Sequence, residues 1–375
     1  MSRGNAPFRY TAALLLCAGA AALIVGAPAP SPARAADAVI KIKATDLVPT
    51  PNPALAYNAL AEGMDLFKKH GLEWVPGPKL GGGGPSRVQA VATDSTEVAV
   101  SDIISVMGAI YSGADLKVLM VMTPYGDEQI WASNKYRTLK DAEGQPWAVA
   151  SASGAQGFNA RMAVQGMGLS PDAFRWTPIA GADGPRLEAM VSGRTQLASL
   201  SHLGAVLAKA KGYTSKVHPI VPHTAKYTPP IPRLVVVAKA SWIKSHQEAA
   251  TRYVEMMLDQ GRTSQNDAKA WVTAGQKIYK NSGMNAEQLG EAQQELHDGG
   301  AFTINGGVNF AATQKIMDMF FQVRKESPNA HLAKPSDIYD TGPLKAALDK
   351  MGVAKGTPGL PDTPDWYESK SAHKG

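Results

Sequence analysis

A single cysteine, Cys17, is all that 375 residues contain, so neither a disulfide framework nor a cysteine zinc site can organise this chain. Charge is scarce as well: Asp, Glu, Lys and Arg make up 19% of the residues, and aromatics 7%. Arg3, Arg9 and Arg34 lie in a segment without acid; setting them aside lowers Lys+Arg from 38 to 35 against 32 acids, and the net charge from +6 to +3. No basic stripe interleaved with aromatics remains, which leaves nucleic-acid binding little support from charge. No G-x-S-x-G, H-E-x-x-H, C-x-x-C or G-x-x-x-x-G-K-[ST] occurs, so the common hydrolase, metalloprotease, redox and nucleotide signatures are missing. Ser241-Trp242-Ile243-Lys244 matches S-x-x-K without its usual companions, and capping of a helix is its expected role. His218 and His223 are separated by Pro222, which breaks the helix a metal pair would need; no metal or cofactor is expected.

What is present begins with a leader. Arg3 and Arg9 precede an apolar run from Thr11 to Gly26, and Ala33-Arg34-Ala35 is a small-x-small site, the pattern of a secretory signal cleaved near Ala35. The run is shorter than the roughly 20 residues a spanning helix needs. Export across a bacterial inner membrane to the periplasm is the expectation, and without residues 1–35 the chain would hold no cysteine.

Beyond the leader, short apolar strands alternate with helical spacing. Strands are expected at 39–44, 72–75, 97–100 and 116–122, with helices at 54–69 and 87–92. After Pro124 the alternation restarts, with strands at 130–133, 147–150, 196–200 and 234–238 and helices at 159–168, 187–191 and 203–211. From about 241 to 350 the spacing is helical throughout. Such a pattern predicts an α/β protein with two mainly parallel sheets and two crossings, near 123–129 and 228–234. The expected division is residues 36–124 with 235–353 as one lobe, 125–234 as the second, and a Pro/Gly/Lys-rich tail from 354. The C-terminal helices have no strands of their own and are expected to pack on the first lobe. A faint internal echo relates residues 92–102 to 191–201: each reads as a helix end, a turn, a short strand and a serine before the next helix.

In open α/β sheets a ligand lies beyond the carboxyl ends of the strands, where helix N-termini offer free N–H groups. Ser151, Ser153, Gly154, Gln156 and Gly157 are the strongest candidates, being small and polar between a strand and a helix; an ordinary N-cap is the alternative. Ser101 with Asp102 and Ser201 with His202 hold similar places. Thr50 and Asn52 lie in a proline-rich loop suited to a cleft wall. Tyr125 and Trp131 stand by the first crossing, able either to stack on a planar ligand or simply to pack. The four glycines at 81–84 lack the Lys-Ser or Lys-Thr of a phosphate cradle and read as a surface loop.

Five segments also carry a resemblance. Glu62-Gly63-Met64-Asp65-Leu66-Phe67-Lys68-Lys69-His70-Gly71-Leu72, Gly113 to Val118, Leu139 to Val149, Gly166 to Pro171 and Lys239 to Glu248 resemble, in order, segments of ABC-transporter substrate-binding proteins for sulfonates, taurine, nitrate and thiamine precursors. The chain departs from that pattern at the residue inserted before Gly144 and at Val98 and Ala99, where an Asp is usual, which leaves the ligand open. The resemblance implies a type II periplasmic-binding fold, in which two α/β lobes joined by two hinge crossings close on a small molecule. It implies a monomer serving an inner-membrane permease with a cytoplasmic ATPase, binding rather than catalysis, and a small, anionic or pyrimidine-like ligand. A sensor for a membrane kinase, a secreted enzyme on the same fold and a purely structural periplasmic protein are the other readings open to the sequence.

Overall fold

The computed structural model describes residues 38–46, 56–80, 83–124, 128–201, 203–228, 232–278, 284–298 and 300–354. The leader, Thr50, Asn52, Tyr125, His202 and the tail from 355 lie outside the described residues.

Strand β1 (Ile40–Thr45) turns Lys41 and Lys43 to water and Ile42 and Ala44 into the core, as its alternation predicts. The single helix expected at 54–69 is two, α1 (Tyr57–Gly63) and α2 (Leu66–Lys69). Between them Asp65 adopts a left-handed φ of 59°, which an α-helix cannot continue through. Next come β2 (Leu72–Pro76), α3 (Gly84–Ala92), β3 (Val98–Asp102), α4 (Ile103–Tyr111) and β4 (Leu116–Thr123).

Past the first crossing the chain forms β5 (Gln129–Ser133), β6 (Pro146–Val149), α5 (Ala155–Gly166), β7 (Arg175–Pro178), α6 (Asp183–Val191), β8 (Leu197–Leu200), α7 (Leu203–Ala210) and β9 (Val217–Val221). The second crossing leads to β10 (Leu234–Lys239) and six helices: α8 (Ala240–Ser245), α9 (Gln247–Asn266), α10 (Ala268–Ile278), α11 (Ala286–Asp298), α12 (Phe310–Arg324) and α13 (Gly342–Met351). Strands β7 and β9 had no counterpart in the sequence reading. Both lie at the margins of their sheet and are only partly buried, so neither carries an apolar run. Ser241 lies inside α8, and its amide and hydroxyl both donate to Asp115 Oδ2, so Asp115 serves that helix start in place of the expected Ser241 cap.

The strand orders are β2-β1-β3-β10-β4 and β7-β6-β8-β5-β9. In each, three parallel neighbours are joined by one antiparallel strand that arrives from the other sheet. Strand β5 follows β4 into the second sheet, and β10 follows β9 back into the first. Because β10 is inserted between β3 and β4, Leu234 to Ala238 are at most 2% exposed. Each of its valines contributes about 1.5–3 kcal/mol by burial, which is why this crossing strand reads as an unbroken apolar run.

The first sheet shares one large core with α9, α12 and α13, whereas the second carries a separate small core on each face. The C-terminal helices do not pack on the first half alone. Trp271 of α10 and Leu289 of α11 share a core with Leu60 of α1 and with Leu203 of α7, and Lys209 of α7 pairs with Glu291 at 2.8 Å.

Candidate functional site

Antiparallel insertion decides which residues meet between the sheets. Strand β10 pairs Leu234 with Asp102, so the residue before it, Arg233, arrives at the carboxyl ends of β3 and β4. Its carbonyl accepts from Ile103 N, and its N–H donates to Thr123 O. Strand β5 likewise pairs Gln129 with Leu200, bringing Glu128 to the carboxyl end of β8. Each crossing thus delivers one charged residue to the place where helices begin, and the two residues pair: Arg233 Nη2 donates to Glu128 Oε1. Glu128 is 1% exposed, and its N–H donates to Thr224 Oγ1. Burial pushes its carboxyl above the ordinary range, while Arg233 and then Arg186 draw it back. Arg233 Nε is buried and has no hydrogen-bond partner among the described residues. A buried guanidinium N–H without an acceptor costs about 1–3 kcal/mol, so the geometry invites one.

Beside Arg233 lies a cavity of about 60 Å³, lined from the first half by Gly83, Gly84, Asp102, Arg233 and Leu234, and from the second by Ala150, Ser151, Gly154, Ala155, Gln156, Gly181, Asp183, Arg186 and Ser201; Glu128 stands behind Arg233, outside the lining. By that measure a water needs roughly 10–15 Å³, so the walls are drawn together around room for only a few small groups. Four helix starts, those of α3, α4, α5 and α6, contribute to the lining.

Asp102 caps α4 by accepting Ser105 N at 2.9 Å, and its other oxygen accepts Ser105 Oγ at 2.8 Å. The same Oδ1 also accepts Ala155 N, the first N–H of α5, at 3.0 Å. One carboxylate oxygen therefore serves a helix start in each half. Burial raises the Asp102 carboxyl above its usual range, against the lowering effect of those three hydrogen bonds and of Arg233. The fit leaves no room at Gly84, where a Cβ would lie 1.6 Å from Asp102 Oδ2. On the opposite wall Gln156 accepts Ala150 N at 2.6 Å and directs its amide to Glu128 at 3.4 Å. In α6, Asp183 pairs with Arg186 at 2.7 Å and accepts Ser201 N and Oγ. Arg186 spends its remaining contacts on the carbonyls of Ser199, Ile179 and Gly181.

Of the residues singled out from sequence, Asp102, Ser151, Gly154, Gln156 and Ser201 line this cavity. Ser101 is buried behind it and donates to Gly84 O at 3.0 Å. Gly157 packs against its own loop, where a Cβ would meet Ser151 O at 2.6 Å. Ser153 does not line the cavity; it is exposed and borders an outer depression with Pro85, Val88 and Arg324. Trp131 is 2% exposed, packs in one of the two cores of the second half and donates to Gln129 Oε1, so simple packing describes it and stacking on a ligand does not. Gly83 and Gly84, expected in a surface loop, form the start of α3 and part of the cavity wall.

The sequence reading passed over Glu128, Arg233, Asp183 and Arg186. Their signals were a charge immediately before each crossing strand and an Asp and Arg three apart at a helix start. Among the described residues no three His, Cys, Asp or Glu side chains gather as metal ligands would, and no helix is long and apolar enough to cross a membrane.

The periplasmic nitrate-binding protein NrtA from Synechocystis PCC 6803 superposes with a TM-score of 0.66 at 11% identity, covering 84% of this chain and 90% of that one. The fold is that of a periplasmic binding protein. A ligand-binding component of an ABC-type import system from Staphylococcus aureus, solved with zinc bound, gives a TM-score of 0.62 at 15% identity over 83% and 99% of the two chains. For the periplasmic aliphatic sulphonate binding protein SsuA from Escherichia coli the TM-score is 0.60 at 14% identity, over 80% and 92%. No protein-family model and no curated protein matches the sequence. At such identities the likeness extends to the periplasmic-binding architecture of two sheets with exchanged strands, and the side chains of the cleft are this chain's own.

Proposed function

We propose that this protein is the periplasmic solute-binding component of an ABC importer, which captures a small organic molecule between its two halves and presents the closed form to an inner-membrane permease coupled to a cytoplasmic ATPase. The observation that carries this reading is a cavity walled by residues of both halves, at the carboxyl ends of their strands, with Arg233 in its lining. The solved structures of this fold include binding proteins for nitrate and for aliphatic sulphonates, which supports the same role here. In this reading residues 36–124 and 235–353 form one lobe and 125–234 the other, the chain acts as a monomer, and its leader is removed near Ala35.

Closure is the mechanism. The halves are joined by crossings at 124–128 and 222–233, and contacts made only when both walls meet the ligand shift the equilibrium toward the closed form. An acidic or otherwise acceptor-bearing group on the ligand answers Arg233, and the Asp102 carboxylate meets its donors. The test is thermal unfolding of the chain from Ala36 onward with alkyl and aryl sulfonates, carboxylates, nitrate and pyrimidines. A ligand at about 100 times its dissociation constant adds about 2.7 kcal/mol, a shift of several degrees. Stabilisation by one chemical class identifies the cargo; a flat response to all of them, and to neutral and zwitterionic compounds tested beside them, removes the importer reading.

A further inference from the structure

We propose that Asp102 sets the charge selectivity of the cleft: its carboxylate holds the start of α5 as an internal anion and so refuses that seat to simple anions. The inference rests on the cleft being the ligand site and concerns which ligands it admits. Helix starts in this cavity are where an incoming anion gains most, because their N–H groups and dipoles point the same way. Asp102 already takes the first N–H of α5 at 3.0 Å while capping α4 at 2.9 Å, so both helix starts are served by one fixed negative charge. An anion arriving there must displace a charge-assisted hydrogen bond and then sit beside the carboxylate it displaced. At about 4 Å and surface-like screening that repulsion outweighs what a single neutral hydrogen bond returns.

The charges facing Asp102 do not cancel this. Arg233, ahead of β10, is shared with Glu128 ahead of β5. Asp183 and Arg186 of α6 neutralise each other. On α3 the charged residue nearest the cleft, Arg87, is directed to the carbonyls of Asp46, Leu80 and Gly83, and on α12 Arg324 is paired with Glu326. From α4 and α5 Asp102 receives only neutral donors, those of Ser105 and Ala155. Loss of the Asp102 charge, by protonation or substitution, therefore removes the repulsion that bars an anion from the α5 start. Burial, which raises this carboxyl, brings its protonation toward mildly acidic pH.

Titration calorimetry with methanesulfonate and with nitrate, on the full mature chain at about pH 8 and about pH 5, reads the effect. The native protein is expected to bind both probes more tightly at the lower pH. Asp102→Asn and Asp102→Ser each keep a good N-cap for α4, and both are expected to bind the probes about tenfold more tightly than the native chain at the higher pH, with little pH dependence left. Equal or weaker binding by both variants overturns the proposal. So does a pH slope that survives in them, since Glu128 would then be the group that titrates. The two failures separate cleanly: if neutral or zwitterionic compounds stabilise the native chain while Asp102 variants bind simple anions no better, only the selectivity is wrong. When no compound of any class stabilises it, the importer reading falls as well.

Discussion

At the carboxyl end of β3 the chain reads Ser101-Asp102 before α4, and at the matching end of β8 it reads Leu200-Ser201 before α7. Both ends hold a buried carboxylate, but they hold it differently. In the second half the acid is Asp183 on the neighbouring helix α6, with side-chain exposures of 2% for Asp183 and 3% for its partner Arg186. Ser201 donates to it from the helix start that Asp102 itself occupies in the first half. Among the described residues Asp102 has no ion-pair partner within 4 Å, though Arg233 acts on it at longer range; it accepts from Ser105 in its own half and from Ala155 in the other. The second half thus carries a closed ion pair that fixes a loop, while the first carries a charge one of whose three hydrogen bonds, that from Ala155, depends on the two halves being together. That difference assigns structure to one acid and selectivity to the other.

The largest expected effect breaks the closed pair. Arg186→Met leaves Asp183 charged and buried without its partner, and leaves three carbonyls without a donor. A loss of about 3–5 kcal/mol is expected in urea unfolding, and Asp183→Leu added to it should recover much of that loss, because an apolar pair replaces a buried ionic one at little net cost. Full additivity of the two substitutions would show that the pair is not the structural unit described here.

A smaller effect sharpens the picture of the first half, which holds a second strained acid. Asp46, at the end of β1, accepts Asn58 N, Asn58 Nδ2 and Ala59 N, yet burial lifts its carboxyl from 3.8 to about 6. The folded chain binds this proton more tightly than the unfolded chain, so the contribution to stability is greatest in acid and is lost as the pH rises from about 3.8 to about 6. Urea unfolding at about pH 4 and about pH 7 should show the native protein losing about 2 kcal/mol more than Asp46→Asn between the two. Other carboxylates act in the opposite sense, Asp259 beside His70 among them, so the difference between the two proteins is the quantity to compare. Parallel pH profiles would place the Asp46 titration at its ordinary value.

Sequence periodicity revealed the alternation of strands and helices because the buried strands are apolar almost throughout, as in Leu116 to Met122 and Leu234 to Ala238. The edge strands of the second sheet escaped it: Arg175–Pro178 and Val217–Val221 are short, interrupted by proline or charge, and half in water. At the cleft, attention to small residues at helix starts found Ser151, Gly154 and Ser201 but overvalued Trp131, whose neighbours Ile130 and Ala132 fill the core on the opposite face of the same strand. A strand buried on both faces has no outward side chain to offer a ligand. Glu128 and Arg233 escaped for a topological reason. A charge before an apolar strand reads as a solvated strand end until it is known that the strand is antiparallel and arrives from the other sheet, which places that charge at the centre of the molecule.

The smallest effect tests the comparison most directly, through stability alone. Asparagine matches aspartate in shape and caps helices as well, so Asp102→Asn can retain the bonds from Ser105 N and Ala155 N through its oxygen and donate to Ser105 Oγ through its nitrogen. It also removes a charge that burial disfavours. The expected change in unfolding free energy at neutral pH is within about 1 kcal/mol of zero. The equivalent Asp183→Asn strips the counter-charge from a buried arginine and is expected to cost about 2–3 kcal/mol, because hydrogen bonds to charged groups are the stronger ones. Should the two substitutions cost the same, Asp102 would be as structural as Asp183, and the assignment of selectivity to one half of the cleft would lose its physical basis.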